Sequence, residues 1–403
     1  MYYIHSVYAI GSLLRNIRDT RKRKTIQTHT VSYLLLFAFV LQVSSFNRLK
    51  YLLENNKKRF QNLLGRNTRL PKIDAVRDAV ASMDYEDIRK AHAQIIDKVI
   101  ENKVLQDHTI NGYRVAAIDG VELFSSELKH CEECLSRTVK GVRQYFHRAV
   151  VCMSVGSDPH IALGAEMLHP KTDGSEKDEG EQTGAKRLLT KLHKAHHHFA
   201  DVIVGDALYM NAPFINHVRQ LKMEVVIRAK DERLNIVQDA LGLFRKREAD
   251  ETFHDTKAHV EVWDEDGFRM EGCGENIRFL RFRERITRAR GKIEEREVLC
   301  ITTLPKGVAA HTIWQIMHKR WDIENNGFRM LKTYFHADHC YVHGKGTNEK
   351  ILLFILMAFT LMELFLFRRL VGFRERKLLR IDMISSMYDE LLMISYAQYF
   401  RSG

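Results

Sequence analysis

The chain has 403 residues, 45% of them hydrophobic and 28% charged, with only five prolines; it is too apolar for a disordered protein and long enough for two or three core-forming units. Six cysteines exclude a disulfide-framed secreted module and make a reducing compartment the default. The net charge of +12 sits at one end. Residues 1–72 hold fourteen Lys/Arg and two acids, Asp19 and Glu54, so the totals of 63 and 51 leave 49 of each sign elsewhere. Such a polycationic end calls for an anionic polymer or surface as partner.

In chain order, residues 1–28 form a basic N-terminal extension with its charge focused at Arg21–Lys24. Tyr33–Val43 is an eleven-residue apolar run, too short to span about 30 Å of hydrocarbon, and no small-residue cleavage site follows it. Apolar positions at helical spacing predict a helical domain over 29–107, broken at Asn67–Pro71, and the adjoining basic extension makes it the candidate DNA-binding domain. The texture then becomes β-rich. Strands are expected at Arg114–Ile118, ending at Asp119-Gly120, and at Tyr145–Val155 and Ile161–Leu168. An acidic loop, 171–184, leads to a helix over Ala185–Phe199. A strand at Val202–Val204 ends at Gly205-Asp206, followed by a helix over Asn211–Leu221 and a strand at Glu224–Ile227. Three strands, helix, strand, helix, strand is the succession of a ribonuclease-H-like mixed α/β sheet. We therefore expect the first part of a catalytic core over 108–234, a β-rich insertion over 235–303, the core's final helix over 304–345, and a helical C-terminal region over 346–403. Ile351–Phe367 is apolar over seventeen residues but interrupted by Glu363; a buried core helix is expected, not a membrane span.

Asp119 and Asp206 each follow an apolar strand, in AAIDG and VIVGDALY. The carboxyl ends of strands in open α/β sheets converge on one crevice, where two neighbouring carboxylates repel unless a cation lies between them. An oxygen-only set of this kind suits Mg²⁺ or Mn²⁺. The third acid is Glu324 in KRWDIENNGFRMLK, four residues after Arg320 and so on one helical stripe with it. Taken alone, each acid reads as a turn, cap or surface residue; together, on this element order, they read as a metal site.

With Asp119-Gly120, Asp206–Tyr209, Arg320–Asn326, Phe328 and Leu331-Lys332 in view, the chain resembles a DDE transposase of bacterial insertion sequences, in the insertion-sequence-four group, over most of residues 30–370. The resemblance implies a divalent-metal triad of Asp119, Asp206 and Glu324, with Arg320 and Lys332 on DNA phosphates near the element end. It implies cut-and-paste transposition by a homodimer bound to terminal inverted repeats and target DNA, in the cytoplasm on the nucleoid, with no membrane partner. Two departures stand out. The tyrosine of the group's signature falls on Met317. Lys332 lies eight residues after Glu324 where the signature has seven, about 80° off its face on an α-helix, unless a bulge at Gly327 restores the facing.

Arg228 and Lys230, just past the Glu224–Ile227 strand, are further candidate DNA contacts. Cys131 and Cys134, in HCEEC, have metal-ligand spacing, and with His336, His339, Cys340 and His343 are a candidate structural zinc site. His193, His196, His197 and His198 read as the polar end of a helix, and Trp263 as a core residue, with base stacking as the alternative. Ser125-Ser126 lacks the Gly-x-Ser-x-Gly context of a serine nucleophile. The competing functions are a metal-dependent nuclease without strand transfer and an inactive, transposase-derived DNA-binding protein; an acidic-membrane binder fits least well.

Overall fold

The computed structural model describes residues 2–65, 68–106, 109–171, 177–256, 258–288 and 291–392; the centre of the acidic loop, 172–176, and Asn67 lie outside the described residues. Helices come first: α1 (Tyr2–Tyr8), α2 (Ile10–Arg15), α3 (Thr28–Val40), α4 (Phe46–Asn55), α5 (Lys57–Leu64), α6 (Ile73–Ser82) and α7 (Tyr85–Glu101). Ser45 caps α4 and Asp84 caps α7, each accepting a backbone N–H of the first turn. The basic N-terminal residues are part of this packing. Tyr8, Ile10, Leu14, Ile17 and Ile26 are buried, and Arg18 reaches Asp87 of α7 at 2.7 Å. Buried Asp19 takes Arg21 at 2.7 Å and Lys24 at 3.3 Å, so half of the Arg21–Lys24 run serves the fold while Lys22 and Arg23 face solvent.

The strands form one mixed sheet. β1 (Val115–Ser126), β2 (Leu135–Val139), β3 (Val142–Val155) and β4 (Ala162–Met167) are followed by α8 (Glu181–His196) and β5 (Val202–Gly205). After α9 (Ala212–Gln220) come β6 (Glu224–Ala229) and α10 (Asn235–Phe244). The region expected to be a β-rich insertion supplies β7 (Glu251–Asp255), β8 (Ala258–Phe268), β9 (Ile277–Thr287) and β10 (Ile293–Thr302). The sheet order is β2-β3-β1-β5-β6-β10-β9-β8-β7, with β4 also on β3. β10 pairs antiparallel with β6, from Leu299↔Ala229 to Thr302↔Val226, so the later strands lengthen the same sheet. Val202–Val204 and Val225–Ile227, in the middle of it, are fully buried, as uninterrupted apolar strands of a covered parallel pair should be.

On β3, Val150 lies beside Gly184 of α8, whereas Met153 lies beside Gly327. An odd separation along a strand means opposite faces. One face thus carries α8; the other carries α11 (Ala310–Lys319), a π-helical turn at Ile323–Phe328, and α12 (Arg329–Thr333). α13 (Thr347–Leu364), a π-helical turn at Phe365–Arg369 and α14 (Arg380–Leu392) complete the described chain. The segment Thr347–Arg369 has the length and apolarity to cross a membrane, but 89% of its apolar window is buried inside the protein. α13 is a core helix: it packs on α3, α7 and β4, and α3, itself apolar nearly all round, lies against it.

Candidate active site

Asp119 does not follow its strand as expected. β1 continues to Ser126, which places Asp119 within it, opposite Val151 of β3. The parallel register of β1 with β5 runs Val115↔Val202, Ala116↔Ile203, Ala117↔Val204, and two residues further on Asp119 draws level with Asp206. Adjacent strands lie about 4.8 Å apart, so the two acids are neighbours across the ladder. Asp206 directly follows β5 and caps a single 3₁₀ turn, its side chain accepting the Leu208 N–H at 2.8 Å.

The third acid arrives from the helical face. Arg320, 4% exposed, lies with one guanidinium nitrogen 2.8 Å from Glu324 Oε1 and 3.5 Å from Asp119 Oδ2. The structure therefore gathers Asp119, Asp206, Glu324 and Arg320 at one place. The turn bearing Glu324 is anchored by Asp322, whose carboxylate accepts the Gly156 N–H at 3.2 Å, accepts from the Asn326 amide at 3.2 Å and lies 3.4 Å from His160. Gly327 is small for a reason: a Cβ there would stand 2.8 Å from Met153 Cε.

A π turn closes its hydrogen bonds over five residues and so contains one residue more than an α turn. The extra residue between Glu324 and Lys332 is absorbed at Ile323–Phe328, and half-buried Lys332 returns to within about 20° of the Glu324 face. Arg228, half-buried on β6, lines an open groove with Arg296, Met317, Arg320 and exposed Trp321. Arg320's guanidinium sits 4.9 Å over the Trp321 ring. Lys230 is exposed beyond the end of β6. Trp263 is a core residue, 5% exposed, donating its indole N–H to the Arg247 carbonyl, with the guanidiniums of Arg281 and Arg283 over its ring.

Sequence reasoning overlooked Glu181. It starts α8, on the opposite face of β1, where it is buried and accepts the Tyr209 hydroxyl at 2.8 Å and pairs with Arg148 at 2.7 Å. A Cβ on Gly120 would lie 2.0 Å from its Oε2, so glycine beside Asp119 opens the window that lets this charge approach the strand. The signal was present as Asp119-Gly120, a pair more often found in turns. Burial, with the charges of Glu181 and Asp206 behind it, pushes the Asp119 carboxyl up to about 7 against the opposing pull of Arg320. An acid held at this proton affinity among like charges is a place prepared for a cation. The donor set, all oxygen, fits Mg²⁺ or Mn²⁺.

The family model for the transposase DDE domain matches residues 156–361, which include Asp206, Arg320, Glu324 and Lys332 and begin downstream of Asp119. No curated protein matches the chain. The match covers just over half of the sequence and falls on the sheet and helices that assemble the acidic site, and the chain belongs to the family of transposase DDE domains.

Proposed function

We propose that this protein is a DNA transposase of the insertion-sequence-four group, cutting at the ends of its element and joining the freed 3′ ends to target DNA. The observation that carries the reading is the meeting of Asp119, level with Asp206 on the next strand, and Glu324 on the buried guanidinium of Arg320. The π turn supports the assignment to the group, because it restores the facing that an eight-residue Glu324–Lys332 spacing would otherwise lose.

Asp119, Asp206 and Glu324 would hold Mg²⁺ or Mn²⁺. Bound divalent ions make a water or 3′-hydroxyl nucleophilic and stabilise the departing 3′-oxygen. The carboxylates then need only to place charge, which is why the site contains no nucleophilic serine or thiol. Asp119 must be ionised to serve, so metal binding releases its proton. Arg320 neutralises the acids from one side and faces the groove from the other, where Arg228 adds a phosphate contact and Trp321 offers an aromatic face; Lys332 of α12 and Lys230 past β6 add basic contacts outside it. Lys22 and Arg23 with the helices of 29–107 supply salt-sensitive contacts to the terminal repeats. The active form is a homodimer on DNA, working in the cytoplasm on the nucleoid.

The test is cleavage and joining on DNA carrying the element's inverted repeats, with Mg²⁺, Mn²⁺ or EDTA. Asp119→Asn, Asp206→Asn and Glu324→Gln should each reduce cutting by more than about 100-fold while end binding persists. Full cleavage by any one of them sinks the assignment of that residue; cutting without joining of pre-cut ends identifies a nuclease instead.

A further inference from the structure

We propose that Cys131, Cys134, His147 and His343 form a tetrahedral zinc site that fastens the sheet to the segment behind the Glu324 helix. The four ligand atoms lie within 4.8 Å of one another. Cys131 Sγ stands 3.7 Å from Cys134 Sγ, and the sulfur–nitrogen separations are 3.4 Å for Cys131–His147, 3.3 Å for Cys134–His147 and 3.4 Å for Cys134–His343. Zinc bonds of about 2.3 Å to sulfur and 2.0–2.1 Å to nitrogen, at tetrahedral angles, require edges of about 3.8 Å between sulfurs and about 3.6 Å between sulfur and nitrogen. The observed edges are those of a zinc tetrahedron to within a few tenths of an ångström. A disulfide would need the sulfurs at about 2.05 Å.

The chain is built for these ligands. Cys131 and Cys134 are a C-x-x-C pair in the β1–β2 connection, and His147 follows on β3 after twelve residues, a spacing common to zinc modules. The Cys131 N–H points at Cys134 Sγ at 3.3 Å, the kind of outer contact that steadies a thiolate. His343 comes from the α12–α13 connection, and its neighbour Gly346 donates its N–H to Glu133 at 2.7 Å, docking the two loops independently of any ion. Asn348 Nδ2 also lies 3.2 Å from His147 Nε2, the atom placed to bind the metal, so zinc would take the lone pair that the amide otherwise meets. Thiols and imidazoles are weak or single-handed hydrogen-bond partners, so four of them converging on one point have little to offer one another without a metal. Of the histidines and cysteine expected to complete the site, His343 reaches it; His336, His339 and Cys340 lie outside the tetrahedron, and His147, on the sheet, takes the remaining place.

The site is separate from the acidic centre and does not depend on the transposase reading. It joins three pieces of chain: the loop after β1, β3 itself, and the segment nineteen residues beyond Glu324. Metal analysis of the purified full-length chain, without added zinc, should find about one zinc per chain. Replacement by Co²⁺ should give the visible spectrum of a tetrahedral thiolate site. Cys131→Ser and the milder His343→Ala, at a half-exposed position, should each reduce zinc to below about a tenth per chain, whereas Cys340→Ser retains it. A folded protein that binds neither zinc nor cobalt overturns the site, as does a Cys131–Cys134 disulfide or full zinc affinity in His343→Ala. None of these readouts involves DNA, so failure here leaves the triad untouched, and failure of cleavage leaves the zinc untouched.

Discussion

Arg320 occupies the position from which a cation would neutralise Asp119 and Glu324, and this makes its removal informative. Without it, Asp119 faces Asp206 and Glu181 with only Arg148, already paired with Glu181, on the other face of the strand. Protonation of Asp119 relieves part of that repulsion, so Arg320→Ala should cost about 1–3 kcal/mol in EDTA. Divalent metal should then restore stability more in the variant than in the parent, because it replaces what the guanidinium supplied. Urea unfolding of both proteins with and without Mg²⁺ decides it; an equal response in both would mean that Arg320 does not share the metal's place. At this scale Asp119 and Asp206 were legible because each follows a run of apolar residues that betrays a strand, and Glu324 because it lies four residues after Arg320. Glu181 was not, because nothing in an acid-rich stretch marks the one carboxylate that folding turns inward. His147 was equally hidden: a single histidine in an apolar strand has no local spacing to reveal it.

The π turn is the element on which the site depends most. It brings Glu324 to the sheet, and Gly327 allows it to lie against Met153. Gly327→Ala should push the turn away and reduce metal-dependent cleavage by about 10-fold or more, since small displacements of a catalytic group carry large rate penalties. Met153→Ala in the same protein should recover most of the loss by making room. A double-mutant cycle on cleavage rate, with circular dichroism to confirm folding, measures the coupling, and purely additive losses would refute the contact's role. The extra residue between Glu324 and Lys332 makes the bulge visible in the sequence itself. The end of β1 was misplaced because Asp119-Gly120 imitates a turn; this glycine answers instead to the carboxylate packed against it from the other face.

Across the whole molecule, buried polar links hold the site to distant parts. His160 lies between Asp158 at 2.9 Å and Asp322 at 3.4 Å, while its backbone N–H meets Glu363 of α13, which in turn pairs with Arg380 at the start of α14. Burial lowers the proton affinity of His160, but the bonds to Asp158 and Asp322 outweigh it and raise the imidazole from 6.5 to about 9. A raised histidine stabilises fully below its unfolded value and loses that contribution as pH climbs through the folded one. Stability should therefore fall between pH 6.5 and about 9, by up to about 3 kcal/mol from His160, and His160→Gln should lose that part, keeping only the shallower decline left by Asp119 and Glu349, both pushed up to about 7. Urea midpoints at the two ends of the window check this; a parallel decline in the variant assigns the effect elsewhere. The links from His160 to Asp322 and to Glu363 join residues more than a hundred positions apart, which is why periodicity along the chain carries no trace of them.

The strands after Asp206 are tied to the site in the same way. Buried Arg278 of β9 grips Asp264 of β8 at 2.6 Å and 2.8 Å and donates to the carbonyls of Pro305 and Val308, just before α11. Glu284 of β9, fully buried, accepts from Trp314 and His318 of α11 at 2.7 Å and 2.6 Å. α11 leads directly into Arg320 and the π turn. These strands cannot be treated as a removable cassette. Exchanging residues 235–303 for the matching segment of a relative strips β6 of its β10 neighbour and leaves α11 without its buried acceptor. A working chimaera must therefore keep β10 with its own β6, and import the partners of Arg278 and Glu284 together with them, so that the unit of modularity is the strand with its helix contacts and not the stretch of chain.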